Sequence, residues 1–135
     1  MNFRYSLLIL TAFLCLAGCK TAKTGVKDKN TKTSFYKDGV FACYYHDKFN
    51  GKKTASGAVF SNNKRTAAHK ELEFGTKVKV TNVQNNKSVV VEVNDRGPFT
   101  KGLEIDLSKK AFHEISHDPK AGKLKVRLEI LKDSR

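Results

Sequence analysis

Three side chains stand where a proton could be handed on. Asp95 ends the run Val89-Val90-Val91-Glu92-Val93-Asn94 and precedes Arg96-Gly97-Pro98-Phe99. A valine-rich strand that stops at a Gly-Pro bend leaves its last side chain at a rim, where a carboxyl can serve as general acid or base. The same aspartate can instead hydrogen-bond its own turn. His69 closes Thr66-Ala67-Ala68-His69. An imidazole there either exchanges protons near neutrality or caps a loop. Asp106, in Glu104-Ile105-Asp106-Leu107-Ser108, either supports such a site or caps the helix after it.

Other chemistries find little footing. Cys43 sits in an apolar run without the electropositive setting that activates a thiol, and reads as a small buried hydrophobe. His113 and His117 are spaced for one helix face, but Pro119 ends the helix and no third ligand is placed to complete a site, so no metal is expected. No phosphate-cradling glycine loop or nucleophile elbow is present, and no cofactor is expected.

The elements that must hold these residues are mostly strands. Val89, Val91 and Val93 share one face, with Glu92 on the other; Leu124, Val126, Leu128 and Ile130 alternate with Lys125, Arg127 and Glu129; Val78 and Val80 alternate with lysines. Asn85-Asn86 marks a hairpin turn between two of these runs, and Gly39–Tyr45 reads as a first strand. A short helix is predicted from Ser108 to about Ile115, with Ser108 as cap, Leu107 and Phe112 as a hydrophobic staple, and Ala111, Phe112 and Ile115 on one face. These elements sum to a small, mainly β barrel with one short helix. Barrel closure removes exposed strand edges.

The N-terminal residues indicate export. Arg4 precedes an apolar run, Leu7–Leu16, too short to cross a membrane as a helix and of signal-peptide length. It ends in Leu16-Ala17-Gly18-Cys19, a lipobox whose cysteine receives a thioether-linked diacylglycerol and an N-acyl chain. Residues 1–18 are thus the expected leader and Cys19 the lipidation site. Residues 20–38, rich in Lys, Thr, Asn and Gly, read as a flexible basic tether. The folded domain is expected over 39–131, with 132–135 as a tail. With Cys15 in the leader and Cys19 lipidated, Cys43 has no partner for an intramolecular disulfide. The 135-residue chain carries 26 Lys+Arg against 13 Asp+Glu, a net charge of +13. Such charge favours polyanions. Export disfavours nucleic acid and leaves cell-wall carboxylates, anionic lipids and phosphate polymers.

Taken in order, the motifs resemble one family. They are Tyr44-Tyr45, Thr54-Ala55-Ser56-Gly57, Thr66-Ala67-Ala68-His69, Phe74-Gly75-Thr76, Val93-Asn94-Asp95-Arg96-Gly97-Pro98-Phe99 and Ile105-Asp106-Leu107-Ser108. This set, together with the lipobox, is similar to the rare lipoprotein A (RlpA) family over residues 39–131. The resemblance implies a six-stranded double-psi β-barrel akin to the first domain of expansins. It implies a peptidoglycan lytic transglycosylase that cleaves between N-acetylmuramic acid and N-acetylglucosamine. The muramic C6 hydroxyl attacks its own C1, leaving a 1,6-anhydro sugar, preferably on strands stripped of stem peptides. An internal nucleophile lets one carboxyl act as acid and then base. Asp95 is expected in that role, with His69 as the family's active-site histidine and Asp106 as a supporting groove aspartate. Tyr45, Arg96 and Phe99 are expected to bind glycan. Among Tyr44, Tyr45, Phe49, Phe60 and Phe99, most are expected in the core, with Phe99 facing ligand. The Arg96 guanidinium is expected to turn from Asp95 toward glycan or solvent, since a close cation would oppose protonation.

Two departures from the family pattern matter. A glutamate important for activity in catalytic relatives follows Ser56-Gly57; here that position is Ala58. Many relatives also carry a C-terminal glycan-binding domain, whereas this chain is expected to rely on barrel, anchor and charge. The alternative reading is therefore an expansin-like module that grips or loosens the wall without cutting it. A monomer is expected, held at the envelope by its lipid. Lys20 after Cys19, rather than Asp, favours the outer membrane in a Gram-negative cell, with the domain in the periplasm.

Overall fold

Valine alternation becomes the wall of a closed barrel. A computed structural model describes residues 32–132 apart from Pro119. The expected leader, Cys19, the tether up to residue 31 and residues 133–135 lie outside the described residues. The strands are β1 (Lys32–Tyr44), β2 (Thr66–His69), β3 (Lys77–Asn82), β4 (Ser88–Asp95), β5 (Ile105–Leu107) and β6 (Leu124–Lys132), with helix α1 at Lys109–Ile115 and a 3₁₀ turn at Asp47–Phe49. They close in the order β1-β5-β2-β4-β3-β6. The β1/β5 and β2/β4 pairs are parallel and the other four antiparallel. The short strands β2 and β5 are inserted between partners distant in sequence, which gives the crossed connections of a double-psi barrel.

Val78, Val80, Val89, Val91, Val93, Val126 and Leu128 fill the interior with Ala42, Ala67, Ile105 and Leu107. Burying each of the larger side chains contributes about 1.5–3 kcal/mol. The β3–β4 connection passes through Asn86 at φ 57°, a left-handed position that asparagine tolerates. Helix α1 is capped by Ser108, whose Oγ accepts from the Ala111 N–H at 3.4 Å. Its Ala111, Phe112 and Ile115 face seals the core.

The first strand begins earlier than its composition suggests. Residues 32–38 are not tether but the first half of β1, paired with the last residues of β6 from Lys32↔Lys132 to Phe35↔Glu129. The ladder needs backbone partners rather than apolar side chains, and β6 supplies them, running one residue past the expected boundary. Register shifts between Phe35 and Lys37 and between Lys37 and Val40 then bend β1 into the barrel. Gly39, at φ 68°, lies within the second shift, and a Cβ there would meet Lys125 Cε at 3.2 Å.

Candidate active site

Register brings four residues into one row. Cys43 on β1 pairs with Asp106 on β5, Asp106 with Ala68 on β2, and Ala68 with Asp95 on β4. Laterally paired residues share a sheet face. Ala42, Ile105, Leu107 and Ala67, the chain neighbours of the first three, face the core, and a register shift at Asn94 brings Asp95, two residues beyond core-facing Val93, opposite Ala68. The row therefore lies on the outer face, with Ala68 as a small floor between two aspartates.

The two carboxyls differ. Asp95 is met by three donors: Tyr45 Oη at 2.7 Å on Oδ2, and the backbone N–H groups of Ala55 and Arg96, each at 2.8 Å, on Oδ1. Tyr45 is itself set by packing on Phe60 (centroids 4.4 Å apart) and Phe49 (5.7 Å). Burial, then the bond to Asp95, pushes its phenol far up, so it remains a neutral donor. Among the described residues Asp106 accepts one bond, from Cys43 Sγ at 2.7 Å on Oδ1. Its carboxyl is raised above the usual aspartate range, first by burial and also by the charge of Asp95, against the lowering pull of the thiol and of Lys70. Burial and the same bond push the Cys43 thiol up to about 12. Asp106 Oδ2 borders Gly97, where an added Cβ would lie 3.8 Å from it. Gly97, at φ 132°, thus keeps that oxygen open while making a turn few other residues could.

Cys43 differs from its expected place. It is half-buried on the groove face and not in the core, because it shares strand parity with Tyr45 rather than with Ala42. That parity was the available signal.

His69 lies across the strand from the row. It follows Ala68, pairs with Ile105, and its side chain is fully buried. Nδ1 accepts from the backbone N–H groups of Glu71 and Leu72, both at 3.1 Å, so Nε2 carries the proton and donates to Glu104 Oε1 at 3.0 Å. Burial pushes the imidazole below its usual value, against the raising effect of Glu104. The structure does not bring this side chain to Asp95. Arg96 does turn away from the Asp95 carboxyl, but toward backbone rather than outward: Nη1 donates to the His69 and Leu72 carbonyls at 3.1 and 2.8 Å, and the guanidinium lies 3.8 Å over Phe74. Phe99, beside Gly97, is 85% exposed. Glu104 had no sequence signal, being 35 residues from His69.

Comparison with known proteins bears on the family and on the barrel. Residues 29–128 match the lytic transglycolase family. The endolytic peptidoglycan transglycosylase RlpA of Pasteurella multocida is 52% identical over 83 residues, 62% of this chain but 28% of that protein. The RlpA of Rickettsia bellii is 38% identical over 171 aligned positions, covering 97% of this chain and 75% of its own length. Among solved structures, the Streptomyces papain inhibitor aligns with TM-score 0.56 at 19% identity, over 74% of this chain and 98% of its own. An expansin of Clavibacter michiganensis solved with cellohexaose aligns with TM-score 0.57 at 18% identity, over 77% and 52%. These two share the barrel fold. The family match and the Rickettsia relative carry the conclusion that this chain belongs to the lytic transglycolase family, within its RlpA group.

Proposed function

We propose that this chain is a lytic transglycosylase of peptidoglycan glycan strands, working at the cell envelope from a lipid anchor at Cys19. The observation that carries the reading is the Cys43–Asp106–Ala68–Asp95 row, in which two carboxyls share a face in unequal environments. Such inequality is how one fold runs acid and base chemistry together. Asp106, short of donors and partly desolvated, is the better holder of a proton. Asp95, held in place by three donors, is the carboxyl fixed to face the attacking hydroxyl.

The reaction divides accordingly. Asp106 gives its proton to the N-acetylglucosamine O4 as the bond from muramic C1 breaks. The muramic C6 oxygen bonds to C1, and its proton passes to Asp95. No water is consumed, and solvent returns the proton from Asp95 to Asp106. The pair replaces the single-carboxyl scheme expected from the motifs. Phe99 offers an apolar face to a sugar ring. Arg96 and Tyr45 act on Asp95 and its turn rather than on glycan. His69, enclosed, acts through its neighbours.

Ala58 favours a second reading, a module that grips glycan without cutting it. It is exposed in the loop that lends the Ala55 N–H to Asp95, and it brings no carboxyl there. The test incubates the full chain with intact and amidase-stripped sacculi and analyses released products by mass spectrometry, with Asp95→Asn as control. Anhydro-muramic products that vanish in the control support the enzyme. Sacculi pulled down by both proteins without product would leave the binding module.

A further inference from the structure

A line of contacts runs from the middle of β1 to the groove. Lys37 Nζ meets Glu104 Oε1 at 2.6 Å, and the same oxygen accepts from His69 Nε2. The other ring nitrogen holds the backbone N–H groups of Glu71 and Leu72. That shapes a tight turn over 69–72, whose His69 and Leu72 carbonyls grip the Arg96 guanidinium. Arg96 is also the residue whose backbone N–H bonds Asp95 Oδ1. Each link is a hydrogen bond with a satisfied donor, and the imidazole is used at both ends.

We propose that Glu104 is a positioning residue for the groove: with Lys37 it anchors His69, and His69 holds the turn that clamps Arg96 beside Asp95. The catalytic part of this inference rests on the transglycosylase reading; the clamp does not. His69 is fully buried, so its influence on glycan passes through this clamp. A carboxylate suits the anchor because it accepts from a cation and a ring N–H at one oxygen, and charge-assisted bonds are the stronger ones. The charged and titratable groups facing the imidazole are Glu104, Lys37 and Glu71, with the Tyr36 ring edge-on at 5.6 Å and its hydroxyl bonded to Glu71. Losing Glu104 frees one end of the ring, loosens the turn and lets Arg96 drift. A misplacement of about 1 Å at a reacting group can lower turnover about a hundredfold.

The experiment compares the full chain with Glu104→Ala, Glu104→Gln and Lys37→Met. It reads glycan cleavage kinetics and amide hydrogen exchange at Glu71 and Leu72. Glu104→Ala is expected to lower kcat by about tenfold or more with KM little changed, and to speed exchange at both amides by about tenfold. Glu104→Gln keeps an acceptor for Nε2–H and should restore kcat to within about threefold of the parent. Lys37→Met, at the surface end, should give a smaller shift in the same direction and decides the matter if Glu104→Ala does not fold. Unchanged kcat, or a loss of kcat with both amides as protected as in the parent, would overturn the proposal. If the parent chain releases no anhydro product, the enzyme reading fails, and the exchange data alone judge the clamp.

Discussion

Glu104 and Asp106 are two residues apart, and the fold treats their carboxyls in opposite ways. Glu104 reaches the enclosed side of β2, where Lys37 and His69 meet it. Burial alone would push it up, but the hydrogen bond and charge of Lys37, aided by His69, outweigh that and hold it below the usual glutamate range. Asp106 faces the groove with one weak thiol donor among the described residues, and burial and the charge of Asp95 win. A buried charge that is fully paired is scaffold. One left underpaired beside a second carboxyl has a cost to stability that a proton can relieve, and a group in that condition is suited to proton transfer.

Substituting each carboxyl should separate the two regions most sharply. Asp106→Asn is expected to lower release of anhydro products by about a thousandfold while raising the melting temperature at neutral pH. An aspartate with a raised folded pKa contributes stability that is present below its unfolded pKa and lost as pH rises through the folded value. The gain in the variant should therefore disappear on acidification. Glu104→Gln should behave conversely, keeping most activity and melting lower at neutral pH. Its carboxylate is lowered in the fold, so its contribution is present above the unfolded pKa and lost as pH falls through the folded value. Melting curves of the three proteins across pH check this; differences of the same sign in both variants would break the comparison.

The histidine tests the enclosed side. His69→Ala removes a fully buried ring and strands Glu104 and two backbone N–H groups, at an expected cost of about 3–5 kcal/mol in denaturant unfolding. A proton-exchanging histidine in contact with glycan would instead lose activity with little loss of stability. That result would move His69 back to the groove.

How far these regions were legible beforehand follows from what each residue depends on. The β3, β4 and β6 valines and leucines announce themselves because period two is a local property. The helix is equally local, with Ser108 as cap and Phe112 and Ile115 on one face. Strands β2 and β5 are only four and three residues long, and partners elsewhere in the chain make them strands. The first half of β1 is polar and exists through its register with β6. Asp95, His69 and Asp106 could be picked by motif, but not which side of the sheet each would face. Parity could have moved Cys43 from core to groove; only the three-dimensional path of the chain brings Glu104 to His69.

Phe99 sharpens the groove side. It is 85% exposed, so Phe99→Ala should leave unfolding unchanged. Loss of a ring that stacks on sugar should weaken binding to sacculi by about tenfold, read by pull-down titration. Unchanged binding would take the turn tip out of the glycan path.

The smallest expected effect belongs to a residue that serves only the scaffold. Ser108 is fully buried at the start of α1, where its Oγ donates to the Lys64 carbonyl and accepts from the Ala111 N–H. Ser108→Ala removes a helix cap and leaves that carbonyl short of a donor, which should cost about 1 kcal/mol. It lies on the strand end two residues beyond Asp106, yet its side-chain bonds run to the helix and the 61–65 loop, not to the row of groove residues. Glycan cleavage by the folded variant should therefore match the parent. A fall in cleavage beyond the unfolded fraction would mean that strain in α1 reaches Asp106 through Leu107, and that scaffold and groove are less separable than the opposed carboxyls imply.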